Sequence, residues 1–234
     1  EYLLRNKKNA LTLLNEDGDF RSKECIALLT ECDIVVTNPP FSLMKEYIPL
    51  LAESGKQFLV LGNMNHITFK EIFHYFRENK MWLGYNAGHF WFKVPDYYEA
   101  KNTDYKQDED GQKWRRLGNI CWFTNMDIDI RHQFLDLYKH FSIQEYPEYD
   151  NYDAYFVKTV ADIPCDTDKP LAVPITFLSS FSPDQFELLD ANQFRKNDEV
   201  PVKSHGLIKD KDGTIKGKAT YARLLVRNRN PEKE

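Results

Sequence analysis

The stretch Asp33-Ile-Val-Val-Thr-Asn-Pro-Pro-Phe-Ser42 decides the fold. Its first half is a β-branched run, the composition of a buried strand. Its second half stops that strand, because two consecutive prolines lack the N–H groups that a sheet ladder needs. Ser42 is placed to cap a following helix, with Leu43, Tyr47, Leu50 and Leu51 on one face and Gly55 just past its end. Pro49 inside that pattern predicts a kink or a break. Phe58-Leu-Val-Leu61 reads as the next buried strand. Thr68-Phe-Lys-Glu71 has capping-box spacing ahead of an Ile72, Phe73 and Phe76 stripe, and Met81-Trp-Leu83 is a further short strand. Strands alternating with helices in this way predict βαβ units on a largely parallel sheet, hence an α/β protein.

Beyond that unit, residues 85–117 turn aromatic, polar and charged, which predicts an inserted loop, with Asp108-Glu-Asp-Gly111 as a turn. Ile120-Cys-Trp-Phe-Thr124 resumes strand character, and Ile130, Phe134, Leu137, Tyr138 and Phe141 recur at helical spacing. After Tyr146 the chain is rich in Tyr, Asp and Pro and reads as irregular. Tyr146, Tyr149, Tyr152 and Tyr155 recur every three residues, a stripe better suited to packing on a sheet edge than to stacking on a ligand. The final residues predict short strands with an Asp212-Gly213 hairpin turn and a last strand over 220–227. The expected division is a catalytic domain over 1–145, containing the 85–117 insertion, and a β-rich C-terminal extension over 146–234.

The 234 residues are 42% hydrophobic and 29% charged, which excludes wholesale disorder, collagen-like repeats and coiled coil. The longest purely apolar run is Phe58-Leu-Val-Leu61, far short of the ~20 residues a membrane span requires. Cys25, Cys32, Cys121 and Cys165 form no C-x-x-C pair, the usage of a reduced, cytoplasmic compartment. His66, His74, His89, His132, His140 and His205 form neither H-x-x-H nor H-E-x-x-H, so no metal site is expected.

The sharpest chemical feature is Asn38-Pro39-Pro40-Phe41, which falls where an open α/β sheet binds its ligand, outside the carboxyl end of a strand. An Asn side-chain oxygen and a proline carbonyl are two acceptors held rigidly close, because each Pro fixes φ. Together they can take both hydrogens of an exocyclic NH2. That draws the nitrogen lone pair out of conjugation with its ring and toward an electrophile. The aromatic ring that follows offers a stacking face worth ~1–3 kcal/mol to a planar base. The competing interpretation is a turn that merely ends a strand.

The tetrapeptide resembles the catalytic motif of amino-methyltransferases acting on adenine N6, cytosine N4 or glutamine. A wider set of blocks resembles the EcoRI-type adenine-specific DNA methyltransferases: Gly18-Asp-Phe-Arg-Ser22, residues 33–42, Leu61-Gly-Asn-Met-Asn65, Ile67-Thr-Phe-Lys-Glu-Ile-Phe73 and Trp82-Leu-Gly-Tyr85. Leu117-Gly-Asn-Ile-Cys-Trp-Phe-Thr-Asn125, Tyr149-Asp-Asn-Tyr-Asp-Ala154 and Val173-Pro-Ile-Thr-Phe177 continue the series in order. The resemblance implies a Rossmann-like, seven-stranded methyltransferase fold. It implies S-adenosylmethionine as cofactor, and methyl transfer to the N6 amine of an adenine flipped out of double-stranded DNA. On that resemblance Asn38 and Pro39 hold the amine, Phe41 stacks on the base, and Trp122 or Phe123 supplies its opposite face. Strand alternation lets only one of those two reach the cleft. Asp19 and Phe20 match the acidic-aromatic pair that contacts the adenine of the cofactor, beside Asn38. The resemblance further implies a monomer, and a cognate restriction endonuclease as partner.

The early strands of that family should precede Asp19, where this sequence has 18 residues, and none of the ten glycines forms a G-x-G. The expectation is that N-terminal strands of the family sheet lie outside this chain. Net charge is −5, but Lys203, Lys209, Lys211, Lys216, Lys218, Arg223, Arg227 and Arg229 face only two Asp between residues 203 and 230. Lys113, Arg115 and Arg116 form a second basic cluster. DNA phosphates are the expected partners of Lys113, Arg115, Arg116, Lys216, Lys218, Arg223 and Arg227. Two alternatives stand beside DNA methylation: the same chemistry on RNA adenine or protein glutamine, and an inactive DNA-binding remnant.

Overall fold

The computed structural model describes residues 14–85, 89–99, 104–196, 207–208, 214–215, 218–219 and 222–233. Helix α1 (Lys23–Glu31) is capped by Ser22, whose hydroxyl accepts the Cys25 N–H at 3.1 Å. Strand β1 (Ile34–Thr37) follows, then a 3-10 turn at Phe41–Leu43, helix α2 (Met44–Glu53) and strand β2 (Gln57–Asn63). A second 3-10 turn (Met64–Thr68) leads into α3 (Lys70–Arg77) and β3 (Trp82–Leu83). Strands β4 (His89–Lys93), β5 (Tyr105–Gln107) and β6 (Lys113–Gly118) come next, and β7 (Ile120–Thr124) returns to the first sheet.

That sheet has the order β1-β2-β7-β3. β1 and β2 are parallel, whereas β7 runs antiparallel to both β2 and β3, so the sheet is mixed rather than largely parallel. The long excursion between β3 and β7 explains the departure. A chain that leaves and re-enters at the same edge comes back antiparallel. Val35, Phe58, Val60, Cys121, Phe123 and Leu83 occupy one face, onto which α2 and α3 pack Met44, Ile48, Leu51, Ile72, Phe73 and Phe76. Gly62 is required by that packing, because a Cβ there would lie 2.7 Å from the Phe123 ring. On the other face, at the sheet edge, Ile34 and Val36 remain 48% and 66% exposed.

Several local expectations are corrected. Ser42 does not cap α2. The Leu43 N–H bonds the Pro40 carbonyl at 3.0 Å, so a 3-10 turn comes first and α2 starts without a side-chain cap. Pro49 lies inside α2 without ending it. The capping box falls not at Thr68 but at Asn63 and His66, while the Thr68 hydroxyl donates to the Asn65 carbonyl. The 85–117 region folds as an antiparallel sheet of order β4-β6-β5, with the expected turn at Asp108-Glu-Asp-Gly111. Residues 130–141 form no α-helix beyond a 3-10 turn at Asp129–His132. Their backbone is claimed elsewhere, with Gln185 bonding both the Leu135 N–H and its carbonyl at 2.7 Å.

The remaining strands are β8 (Tyr155–Phe156), β9 (Leu171–Pro174), β10 (Phe186–Leu188), β11 (Leu207–Ile208), β12 (Thr214–Ile215), β13 (Lys218–Ala219) and β14 (Arg223–Asn228). They assemble as β10-β14-β9-β8 with β11 beside β14, and β12 pairs with β13. The Asp212-Gly213 turn lies outside the described residues. Tyr146, Tyr149, Tyr152 and Tyr155 are all buried. One apolar cluster joins the two large sheets, running from Met44 and Phe123 through Phe177 to Leu224 and Val226. Among the described residues, no helix is long and apolar enough to cross a membrane.

Candidate active site

Because β1 and β2 are parallel, the segment leaving β1 at Thr37 emerges at the carboxyl edge of the sheet. Pro39 is buried and anchors the turn, whereas Asn38, Pro40 and Phe41 are exposed. The 3-10 turn uses the Pro40 and Phe41 carbonyls, which accept from the Leu43 and Met44 N–H groups. Among the described residues neither the Asn38 amide nor the Pro39 carbonyl has a hydrogen-bond partner. The loop therefore holds the exposed Asn38 amide and the carbonyl of buried Pro39 on adjacent residues, both uncommitted among the described residues.

They open onto a cavity of about 620 Å³ lined by Asp19, Phe20, Asn38, Pro39, Pro40 and Tyr47. Leu28, Leu29, Val35 and Leu50 supply apolar wall, and Cys25 and Cys32 also face in. That is the size and mixed character of a small-molecule site. Phe20 meets Tyr47 edge-on at 4.9 Å. Burial pushes the Tyr47 phenol above its ordinary pKa, while a hydrogen bond with Thr37 pulls the other way. The Arg21 guanidinium bonds both oxygens of Asp19, at 2.9 and 2.6 Å, and holds its carboxyl down at about 2. Arg21 reaches on to Glu46 at 2.7 Å, tying the Asp19 turn to α2. Asp19 stays ionised with lone pairs to spare, since a carboxylate offers about four acceptor sites.

Phe41 is 37% exposed and lies outside the cavity wall. Its ring meets His66 edge to face at 5.1 Å. His66 is 7% exposed, lies 5.4 Å from Phe69, and accepts the Asn63 N–H on Nδ1 at 3.2 Å. Burial pushes its pKa down, so the ring is neutral and carries its proton on Nε2. Sequence patterning missed His66. Its signal was a histidine three residues past the end of β2, following a possible Asn cap.

The other predicted residues are not gathered here. Phe123 is fully buried between Gly62 and Phe76, which removes it as a stacking surface. Trp122 points to the opposite face of the sheet, with Phe90 at 6.4 Å, and does not line the cavity. Arg223 is buried, its guanidinium spent on the Val157 and Lys158 carbonyls and over the Phe156 ring, so it is not a phosphate contact. Arg227 lies 3.8 Å from Glu187. Arg116 pairs with Asp104 at 2.7 Å, Lys113 bonds the Asp96 and Tyr98 carbonyls, and Arg115 sits over Tyr98. Lys216 lies outside the described residues, and Lys218 is described only as part of β13. His140, Cys165 and Asp166 bring one ligand atom each within 4.8 Å. There the Asp166 carboxylate is already bonded by His140 at 3.1 Å and by the Phe141 N–H at 2.7 Å.

An Asn-Pro-Pro-Phe loop at the carboxyl end of a parallel strand thus stands beside an apolar cavity with an acidic-aromatic pair, the arrangement that the resemblance to amino-methyltransferases implies. A sequence model of the family described as "Adenine-specific methyltransferase EcoRI" matches residues 4–229, and the chain belongs to that family. It is 44% identical over 221 residues to the Type II methyltransferase M.EcoRI of Escherichia coli, covering 93% of this chain and 64% of that protein. It is 38% identical to M.MpnI of Mycoplasma pneumoniae, over 91% of this chain and 69% of that one. With M.MgeORF184P of Mycoplasma genitalium the identity is 36%, over 97% and 74%. The chain thus spans about two thirds to three quarters of the length of these curated relatives. No solved structure matches it.

Proposed function

We propose that the chain is the catalytic part of a DNA methyltransferase of restriction-modification type, which places a methyl group on the N6 amine of a flipped-out adenine. The observation that carries this reading is that the Asn38 amide and Pro39 carbonyl, without hydrogen-bond partners among the described residues, belong to residues lining the same cavity as Asp19 and Phe20. S-adenosylmethionine is the methyl donor on this reading, and when bound it would supply a methyl carbon activated by a positively charged sulfur, which would depart as a neutral thioether. The cavity suits it: Asp19 offers acceptors to an adenine amine, Phe20 a ring, and Leu28, Leu29 and Leu50 an apolar wall.

Asn38 and Pro39 then take the two N6 hydrogens of the target, rotate the lone pair out of conjugation and aim it at the cavity. The proton displaced as the N–C bond forms leaves to solvent, on which the loop opens. Phe41 offers its face to the base, worth ~1–3 kcal/mol. The relatives' names, Type II methyltransferases, support DNA as the substrate over RNA or protein. Three strands of one direction with an antiparallel neighbour between the second and third support a Rossmann-like sheet. The C-terminal β-rich part over 146–234 is proposed to serve target recognition.

Asn38→Ala tests the reading. Single-turnover methyl transfer to duplex DNA should fall by roughly 10²–10³, the scale of removing one preorganised partner, with little change in cofactor affinity. Undiminished transfer would remove Asn38 from the mechanism. Transfer by the parent chain to RNA or to a glutamine peptide, but not to DNA, would redirect the reading.

A further inference from the structure

The inserted sheet β4-β6-β5 has two unlike faces. Cross-strand pairing sets Trp91 opposite Arg116, Lys93 opposite Trp114, and Lys106 opposite Trp114, so these five side chains share one face. Phe90, Phe92, Leu117, Arg115 and Tyr105 share the other. On that second face Phe90 stacks on Phe92 at 6.1 Å and meets Trp122 of β7 at 6.4 Å, while Phe92, Arg115 and Leu117 stay exposed. The first face is built of indoles and cations, with Lys93 and Lys106 exposed and Trp91, Trp114 and Arg116 half-buried. Lys106 Nζ lies 4.6 Å from the Trp91 ring centre and 5.7 Å from that of Trp114, Lys93 Nζ lies 5.3 Å from Trp114, and the Arg116 guanidinium lies 5.9 Å from Trp91. Arg116 spends its charge on Asp104, and Asp108 accepts from Trp114 Nε1 at 2.9 Å. On this face Lys93 and Lys106 form no ion pair among the described residues, although the Asp108 carboxylate lies within electrostatic reach of Lys93.

The position of the sheet matters as much as its composition. The insertion leaves after Leu83 and returns at Ile120, which pairs with Asn63, the last residue of β2. It grows from the sheet edge at which β1 delivers Asn38. A ligand large enough to lie on the indole-lysine face while feeding one base to the Asn38 loop is a polymer, and the charge and ring pattern fit a polyanion with sugar and base edges.

We infer that the face formed by Trp91, Lys93, Lys106 and Trp114 docks the sugar-phosphate backbone of duplex DNA next to the target base. The inference rests on the DNA reading given above. Lys93 and Lys106 stand on strands flanking β6, about 10 Å apart at two strand spacings, and their stems reach backbone phosphates while the indoles hold them in place. Phosphate contacts of this kind add affinity on every sequence and carry no base specificity.

The experiment is a salt titration of the full chain against a fluorescein-labelled duplex, followed by anisotropy. Lys93→Ala with Lys106→Ala should weaken binding to all duplexes alike and reduce the slope of log K against log salt by about two, one per phosphate contact. The Lys93→Arg, Lys106→Arg pair should restore both. Lys80→Ala with Lys169→Ala, which removes equal charge outside the inserted sheet, should leave the slope unchanged. Unaltered affinity and slope in the Lys93, Lys106 alanine pair, with the parent chain binding duplex, would overturn this surface and leave the methyltransferase reading standing. A parent chain that binds no duplex at low salt, or binds single-stranded RNA more tightly, would overturn both.

Discussion

At the scale of single residues, the site divides into what type and spacing announce and what only packing reveals. The strand end and turn at Asn38-Pro39-Pro40-Phe41 were legible because two prolines after a β-branched run have few other uses. Asp19 and Phe20 were legible through resemblance, and they do line the same cavity as Asn38. Arg223 and Phe123 misled, since a list of basic or aromatic residues carries no information on which way a strand turns its side chains. His66 was invisible for the converse reason: its importance lies in two contacts, the Asn63 N–H and the Phe41 ring. Its burial gives a pH prediction. The native ring has a pKa below the ordinary 6.5, so between those two values the unfolded chain binds a proton that the native state refuses. The stabilisation is complete above pH 6.5 and is lost as pH falls toward the native value. Urea unfolding between pH 7.5 and 5.5 should show a smaller loss in His66→Ala than in the parent, and the variant should be about 1–3 kcal/mol less stable at pH 7.5, where the Asn63 N–H is left unpaired. Parallel pH profiles in the two proteins would refute the argument.

At the scale of elements, alternation and strand composition read well, whereas helix termini and helical spacing read poorly. The Phe58-Leu-Val-Leu61 and Ile120-Cys-Trp-Phe-Thr124 strands form where expected, since both contribute residues to the buried face against α2 and α3. The apolar spacing over 130–141 formed no α-helix, because a periodic stripe needs a surface to bury against. Phe134 and Tyr138 stay 56% and 79% exposed. Pro49 is the reverse case, a breaker that does not break. It forfeits one bond, to the Lys45 carbonyl, near the start of α2, while Ile48 and Leu51 on either side are buried and hold the helix together. Interior proline costs up to ~3 kcal/mol relative to alanine, so Pro49→Ala should raise the unfolding free energy by about 1–3 kcal/mol in urea titration. A loss of stability would mean that the ring packs against its neighbours better than a methyl group can.

At the scale of the whole molecule, composition shift suggested a boundary near residue 145, and the core bears on how that boundary behaves. The apolar cluster that fills the space under β2 and β7 is continuous with Phe177 and with Phe186, Leu224 and Val226 of the C-terminal sheet, and Arg77 of α3 pairs with Asp190 at 3.0 Å. A shared core couples the stability of both parts, whatever division of labour they have in function. All four tryptophans, Trp82, Trp91, Trp114 and Trp122, lie before residue 145, so their fluorescence reports on that part alone. Phe177 lies beyond the boundary, fully buried, with Phe181 and Phe186 edge-on at 5.9 and 5.0 Å. Phe177→Ala should cost about 3–5 kcal/mol, the range for deleting a buried ring. In one cooperative unit that loss shifts the tryptophan-detected urea midpoint as far as the midpoint detected by far-UV circular dichroism. If 146–234 unfolds independently, the variant leaves the tryptophan transition in place and adds an earlier step in dichroism alone. Coincident shifts would establish that the C-terminal sheet is a structural wall of the part that carries Asn38, so that fragments cut at residue 145 should not fold.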